Sequence, residues 1–124
     1  MTNFKDSYIA VVGVSLDSAK YGNKVFRDMV KAGWHVDGIH LGGGEVAGRK
    51  LFNSLNDLEA VPDILVTVVP PQVTEKVIEE AIAKGVKHVW MQPGSESAAA
   101  IEKAKAAGIE ATYNQCIMIT SGLW

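Results

Sequence analysis

Tyr8–Val14 reads YIAVVGV, a short β-branched apolar run that stops at a glycine, and this stretch decides the fold. Continuous apolar character, in place of alternation, marks a strand buried on both faces, as in a parallel sheet. Outward from it the chain repeats one plan. After the polar SLDSAKYGN, the residues Val25, Phe26, Met29 and Val30 recur at helical spacing as far as Gly33, a suitable glycine to end the helix. Trp34 to Leu41 predicts a second strand opening into Gly42, Gly43 and Gly44. A short helix is expected around Ser54 to Glu59, with Ser54 and Asp57 spaced as a capping box. Ile64 to Val69 predicts the third strand, ended by Pro70 and Pro71. Pro71 suits the first turn of a helix that Val73, Val77, Ile78, Ala81 and Ile82 carry to Gly85. His88 to Met91 predicts strand four, Ser97 the N-cap of an alanine-rich helix ending at Gly108, and Ile109 to Tyr113 strand five.

Strands alternating with helices of about ten residues imply a parallel sheet of about five strands with right-handed crossovers and helices on both faces. The expected class is α/β, a three-layer, doubly wound sheet of the Rossmann type, with one domain over residues 1–124. A length of 124 residues suits one core, and 48% apolar with 21% charged residues is ordinary for a globular chain. No apolar run approaches the roughly 20 residues that span a bilayer. The opening MTNFKDS carries no export signal, so the expected compartment is the cytoplasm, with no membrane partner. A net charge of −2 argues against a nucleic-acid surface, which needs a basic stripe. Cys116 is the single cysteine, and His35, His40 and His88 stand far apart with no metal-ligand spacing, so no metal site is expected.

In such a sheet ligands bind beyond the carboxyl ends of the strands. The loops there are Gly13–Asn23, His40–Arg49, Val69–Val73 and Gln92–Ser97. They hold glycine, proline, amide and hydroxyl groups with few carboxylates, which favours an anionic ligand. Gly13, Val14 and Ser15 lead toward a helix whose first amides and dipole suit a diphosphate. Ser15 and Asn23 offer hydrogen bonds, Lys20 a charge, and Gly22 a close approach to the backbone. The spacing is not GxGxxG, and Asp37 is expected inside strand two instead of at its tip, so a dinucleotide site of the NAD type is disfavoured. The three glycines at 42–44 read as backbone facing a ligand, because a flexible run costs conformational entropy and offers no side chains in return.

An ordered set of segments carries a family resemblance over nearly the whole chain. These are VVGVS at 11–15, KYGNKVFRDM at 20–29, GEVAGRKLFNSL at 44–55, VVPPQV at 68–73, VWMQPGSES at 89–97 and CIMI at 116–119. Together they resemble the small stand-alone CoA-binding proteins, whose domain is similar to the N-terminal domain of the succinyl-CoA synthetase alpha subunit. The resemblance implies a CoA site on the same four loops. Gly13, Ser15, Lys20, Tyr21 and Gly22 match the family's diphosphate loop, and Val69, Pro70 and Pro71 the part bordering adenosine and pantetheine. Met91, Gln92 and Pro93 match a third contact region. Two departures concern the phosphate on the ribose. His40, Leu41 and Gly42 stand where many relatives have an Asn-Pro-Lys type sequence, and the arginine that some members carry at Val69 is missing. Arg49, Lys50 and His40 are the candidate substitutes, and without a dedicated arginine dephospho-CoA is expected to bind nearly as well as CoA.

The expected function is a non-catalytic module, a carrier, sensor or partner-dependent subunit that binds coenzyme A or an acyl-CoA, as a homodimer or with a partner protein. The alternative is an NAD(H)-binding oxidoreductase or redox sensor on the same fold. A thiol-dependent enzyme using Cys116 is a third reading, against which stands the expectation that a lone cysteine after an edge strand packs as a small hydrophobe. Trp34 and Trp90 are expected to be packing residues.

Overall fold

The computed structural model describes residues 3–124; Met1 and Thr2, the start of the segment read for export signals, lie outside the described residues. Five parallel strands form the main sheet: β1 (Tyr8–Val12), β2 (His35–Ile39), β5 (Ile64–Thr67), β6 (His88–Met91) and β7 (Glu110–Thr112), in the order β2-β1-β5-β6-β7. The main helices are α1 (Tyr21–Lys31), α2 (Pro71–Lys84) and α3 (Ala98–Ala106). This is the expected Rossmann-type α/β architecture. β6 has the bounds read from the sequence, whereas β1, β2, β5 and β7 are each shorter by two or three residues, because the end residues of those runs already belong to the turns beyond the sheet.

The two faces bury separate cores. Ile9, Val11, Val36, Ile64 and Val66 point toward α1, where Val25, Phe26 and Met29 meet them. Ala10, Leu65, Val89 and Met91 face α2 and α3, against Val77, Ile78, Ala81, Ala100 and Ala104. Alternate residues of one strand thus serve opposite layers, the two-residue period of a strand covered on both sides. Trp34 and Trp90 are buried in the α1-side core; Phe4 stacks on Trp34 and meets Trp90 edge-on, both with ring centroids 5.7 Å apart. Pro71 opens α2 and Gly85 closes it in the left-handed conformation, while Ser97 caps α3 by accepting from the Ala100 amide at 3.0 Å.

The helix expected at Ser54–Glu59 is a single 3₁₀ turn, Leu55–Asp57, and the Ser54 side chain makes no cap bond. Leu55 and Leu58 both insert under α2, which holds the segment to the core without a regular helix. Besides a 3₁₀ turn at Phe4–Asp6, two elements have no counterpart in the sequence reading. A hairpin of β3 (Glu45–Val46) and β4 (Arg49–Lys50) flanks the β2 edge, and a short helix α4 (Ile117–Thr120) drives Ile117 and Met118 into the α1-side core.

Candidate functional site

A crevice opens in a parallel sheet where neighbouring strands send their connections to opposite faces. β1 feeds α1 on one face and β5 feeds α2 on the other, so the crevice lies beyond Val12 and Thr67.

Its first wall is the turn at Gly13, where φ is +102°. A Cβ there would lie 2.1 Å from the Val68 carbonyl oxygen, and one on Gly22 would lie 2.1 Å from the Gly13 carbonyl oxygen. The start of α1 therefore rests directly on the turn after β1. Its first amides have no acceptor inside the helix, and the N-cap Lys20 supplies no side-chain bond, so this end of the dipole suits an anion. The remaining loop is tied to itself. Asn23, 4% exposed, donates to the Ser15 carbonyl at 2.8 Å and accepts from Arg27 at 2.9 Å. Ser15 Oγ accepts from the Asp17 amide, and Asp17 from that of Ala19. Val14 is buried in the core.

On the other side of β1 a groove of about 480 Å3 runs between the strand ends, the 3₁₀ turn and α2. Of the residues singled out by sequence it gathers Gly13, His40, Leu41 and Val69. Leu55, Val73 and Val77 extend its apolar wall, and Asn53, Lys76 and Glu80 give it polar groups. Its volume falls inside the roughly 300–1,000 Å3 usual for small-molecule sites, and apolar walls with a few polar groups suit a flat base. Leu41, at 88% exposed, stands at the rim. Gly42, Gly43 and Gly44 all have positive φ. Space around Gly42 is open, but a Cβ on Gly44 would meet Leu16 at 2.7 Å, so the run serves packing at one end and open backbone at the other.

Val69 also lines a shallower hollow with Pro70 and Pro93, which joins the loops after β5 and β6. Pro71 occupies the first turn of α2 and Met91 is wholly buried under α2 and α3. Asp37 sits inside β2, paired with Ala10, and accepts from the Tyr8 hydroxyl at 2.7 Å. No carboxylate is thereby offered at the tip of β2, where an NAD-type site holds its ribose.

Beyond β6 a buried amide organises a thiol. Gln92, 0% exposed, accepts from the Ile117 amide at 2.7 Å and donates to Tyr21 Oη at 2.8 Å and Cys116 Sγ at 3.3 Å. Tyr21 Oη and Cys116 Sγ are themselves 3.2 Å apart. Cys116 is half-buried. Burial pushes its thiol up, but hydrogen bonds from Tyr21 and Gln92, with backbone contacts from Ile119 and Met118, outweigh this and hold it below its ordinary value. The Tyr21 phenol is pushed up, first by burial and then by its bond to Cys116. The cysteine expected as a plain packing residue is therefore a hydrogen-bonded one, a difference fixed by Gln92 from 24 residues away. Trp124 closes this corner, edge-on to Tyr21 at 5.9 Å, with its Nε1 donating to Asp28 at 2.8 Å and the Lys24 ammonium over its ring.

Comparison with known proteins identifies the family of the chain. The model of a family described as the CoA binding domain matches residues 7–122. The chain is 32% identical over 87 residues to the alpha subunit of ADP-forming acetate–CoA ligase II from Pyrococcus furiosus, covering 69% of this chain and 19% of that protein. It therefore spans about a fifth of that relative's length. A conserved hypothetical protein from Pyrococcus furiosus superposes with a TM-score of 0.86 at 37% identity, covering 91% of this chain and 97% of that one. A dinucleotide-forming acetyl-coenzyme A synthetase from Candidatus Korarchaeum cryptofilum superposes with a TM-score of 0.74 at 25% identity, covering 87% of this chain and 26% of that one. With its fold matched over whole small proteins and over one part of larger ones, and a family model spanning all five strands, this chain belongs to the CoA-binding domain family.

Proposed function

We propose that the domain binds coenzyme A or an acyl-CoA as a non-catalytic module, acting as a carrier, a sensor or the CoA-holding part of a larger assembly. The family match over residues 7–122 carries this reading. Two of the relatives are an acetate–CoA ligase subunit and an acetyl-coenzyme A synthetase, and their additional length is where a partner-dependent role would find its chemistry. In this reading the diphosphate lies at the start of α1, above Gly13, Ser15, Lys20, Tyr21 and Gly22. The adenosine occupies the groove between His40, Leu41, Gly42 and Val69, and the pantetheine follows Pro70 and Pro93 toward the Tyr21–Gln92–Cys116 corner. That path joins both hollows through Val69, the residue they share.

Thermal unfolding tests the assignment. A ligand that binds only the folded state adds about 2.7 kcal/mol at a hundred times Kd, worth several degrees in a domain of this size. CoA is expected to raise the melting temperature by about that much, and NAD and NADH at equal concentration by less. A shift with NAD or NADH and none with millimolar CoA would replace the CoA reading with the nicotinamide one.

A further inference from the structure

Three cationic or imidazole groups stand out in the sequence as candidates for holding a phosphate on the ribose, and the structure separates them. Arg49 lies on β4 with Nη1 directed at the Val36 carbonyl, 3.5 Å away, near the start of β2 and away from the strand ends. Lys50 faces Glu45 across the hairpin. Only His40 of the three lines the groove.

The groove has a cation of its own. Lys76 projects into its lining from the second turn of α2, and Glu80 follows one turn later on the same side. Because α2 begins at the end of β5 and runs back along the sheet, Lys76 is the nearer of the two to the crevice mouth. Among the described residues neither forms an ion pair, although Glu79 and Lys103 on the adjoining helices do. The lining thus presents an apolar wall of Val69, Val73, Val77 and Leu55, one cation near the mouth and one carboxylate beyond it.

That order of groups fits a nucleoside phosphorylated on its sugar. A base packed on the valines would turn its exocyclic amine toward the carboxylate, and a dianion on the ribose would meet the ammonium. A carboxylate farther in repels a second phosphate, which leaves the diphosphate at the Gly13 end. We propose that Lys76, with His40 beside it, reads the phosphate on the ribose and so makes the domain prefer CoA over dephospho-CoA. This rests on the CoA reading and replaces the expectation that the two ligands bind alike.

The test is a calorimetric titration of CoA and dephospho-CoA into the wild type, Lys76→Gln, Lys76→Arg and Arg49→Gln. Wild type should prefer CoA about tenfold, or about 1.4 kcal/mol. Lys76→Gln should lower CoA to the level of dephospho-CoA while leaving the latter within about twofold, Lys76→Arg should restore the preference, and Arg49→Gln should leave it intact. The wild-type ratio should also shrink as salt is raised. Equal binding of both ligands by the wild type, equal weakening of both by Lys76→Gln, or loss of the preference in Arg49→Gln would overturn the assignment while keeping CoA as the ligand. Binding of neither ligand by the wild type would overturn it together with the CoA reading.

Discussion

The two walls of the crevice are built on opposite terms. The Gly13–Asn23 wall is closed: backbone rests on backbone at 2.1 Å from where a Cβ would sit, and Ser15, Asp17 and Asn23 bond to the loop itself. Across β1, the α2 wall is open, a groove of about 480 Å3 with Lys76 and Glu80 free of ion pairs among the described residues. A glycine that invites a phosphate in sequence can be needed first for packing, and discrimination can sit on a helix face that carries no motif. The first wall offers fixed backbone dipoles at little cost of reorganisation, and the second offers exchangeable side chains.

Breaking the closed wall should give the largest effect. Gly22→Ala places a methyl on the Gly13 carbonyl, and Gly13→Ala adds a positive φ to its clash with Val68. Overpacking typically costs about 1–3 kcal/mol, and a left-handed non-glycine residue about 1–2 more. Chemical denaturation should show both variants destabilised by at least about 2 kcal/mol, Gly13→Ala the more. A variant with wild-type stability would mean that α1 can slide off the turn and that the wall is not closed.

Filling the open wall should do the reverse. Val73 is partly exposed and lines the groove, so Val73→Trp occupies the space without entering the core. Stability should stay within about 0.5 kcal/mol, as for most surface changes. CoA affinity should fall by at least about tenfold. Retained affinity would move the adenosine out of the groove.

The smallest effect belongs to the corner where the pantetheine is drawn. Cys116→Ser should leave CoA affinity changed by less than about tenfold, because no covalent role is assigned to the thiol. Its acidity is a separate matter. Tyr21→Phe removes a donor that stabilises the thiolate, so the pH midpoint of alkylation should move up toward the ordinary thiol value while CoA-free folding persists. An unmoved midpoint would assign the lowering to Gln92 and the α4 backbone.

Much of the fold was legible because its signals are local. Gly13, Pro71, Gly85, Ser97 and the apolar spacing of α1 and α2 each act within one turn, and the strands between them are continuous apolar runs. The hairpin at Glu45–Lys50 and helix α4 were not, since the hairpin strands have two residues each and the helix four, and both are held by packing on distant elements. Of the candidate site, Gly13, His40, Leu41 and Val69 do line one groove. Asn53, Lys76 and Glu80 escaped because charged and amide residues on a helix or after a turn look like any solvated face. Their only mark is position relative to a crevice that exists after folding. Gln92 had a place in the family pattern, but its three hydrogen bonds depend on Tyr21 and Ile117 arriving from opposite ends of the chain.

Trp124 gives this corner an optical property. Trp34 and Trp90 are 7% and 4% exposed, whereas Trp124 is 42% exposed, so a quencher dissolved in the solvent acts chiefly on the last residue of the chain. Among the described residues its indole pairs with one aromatic neighbour, Tyr21, and its near surroundings include the Lys24 charge and the Asp28 carboxylate. The emission of this one ring therefore reports on its contacts with Tyr21, Lys24 and Asp28 at the start of α1, with no label attached.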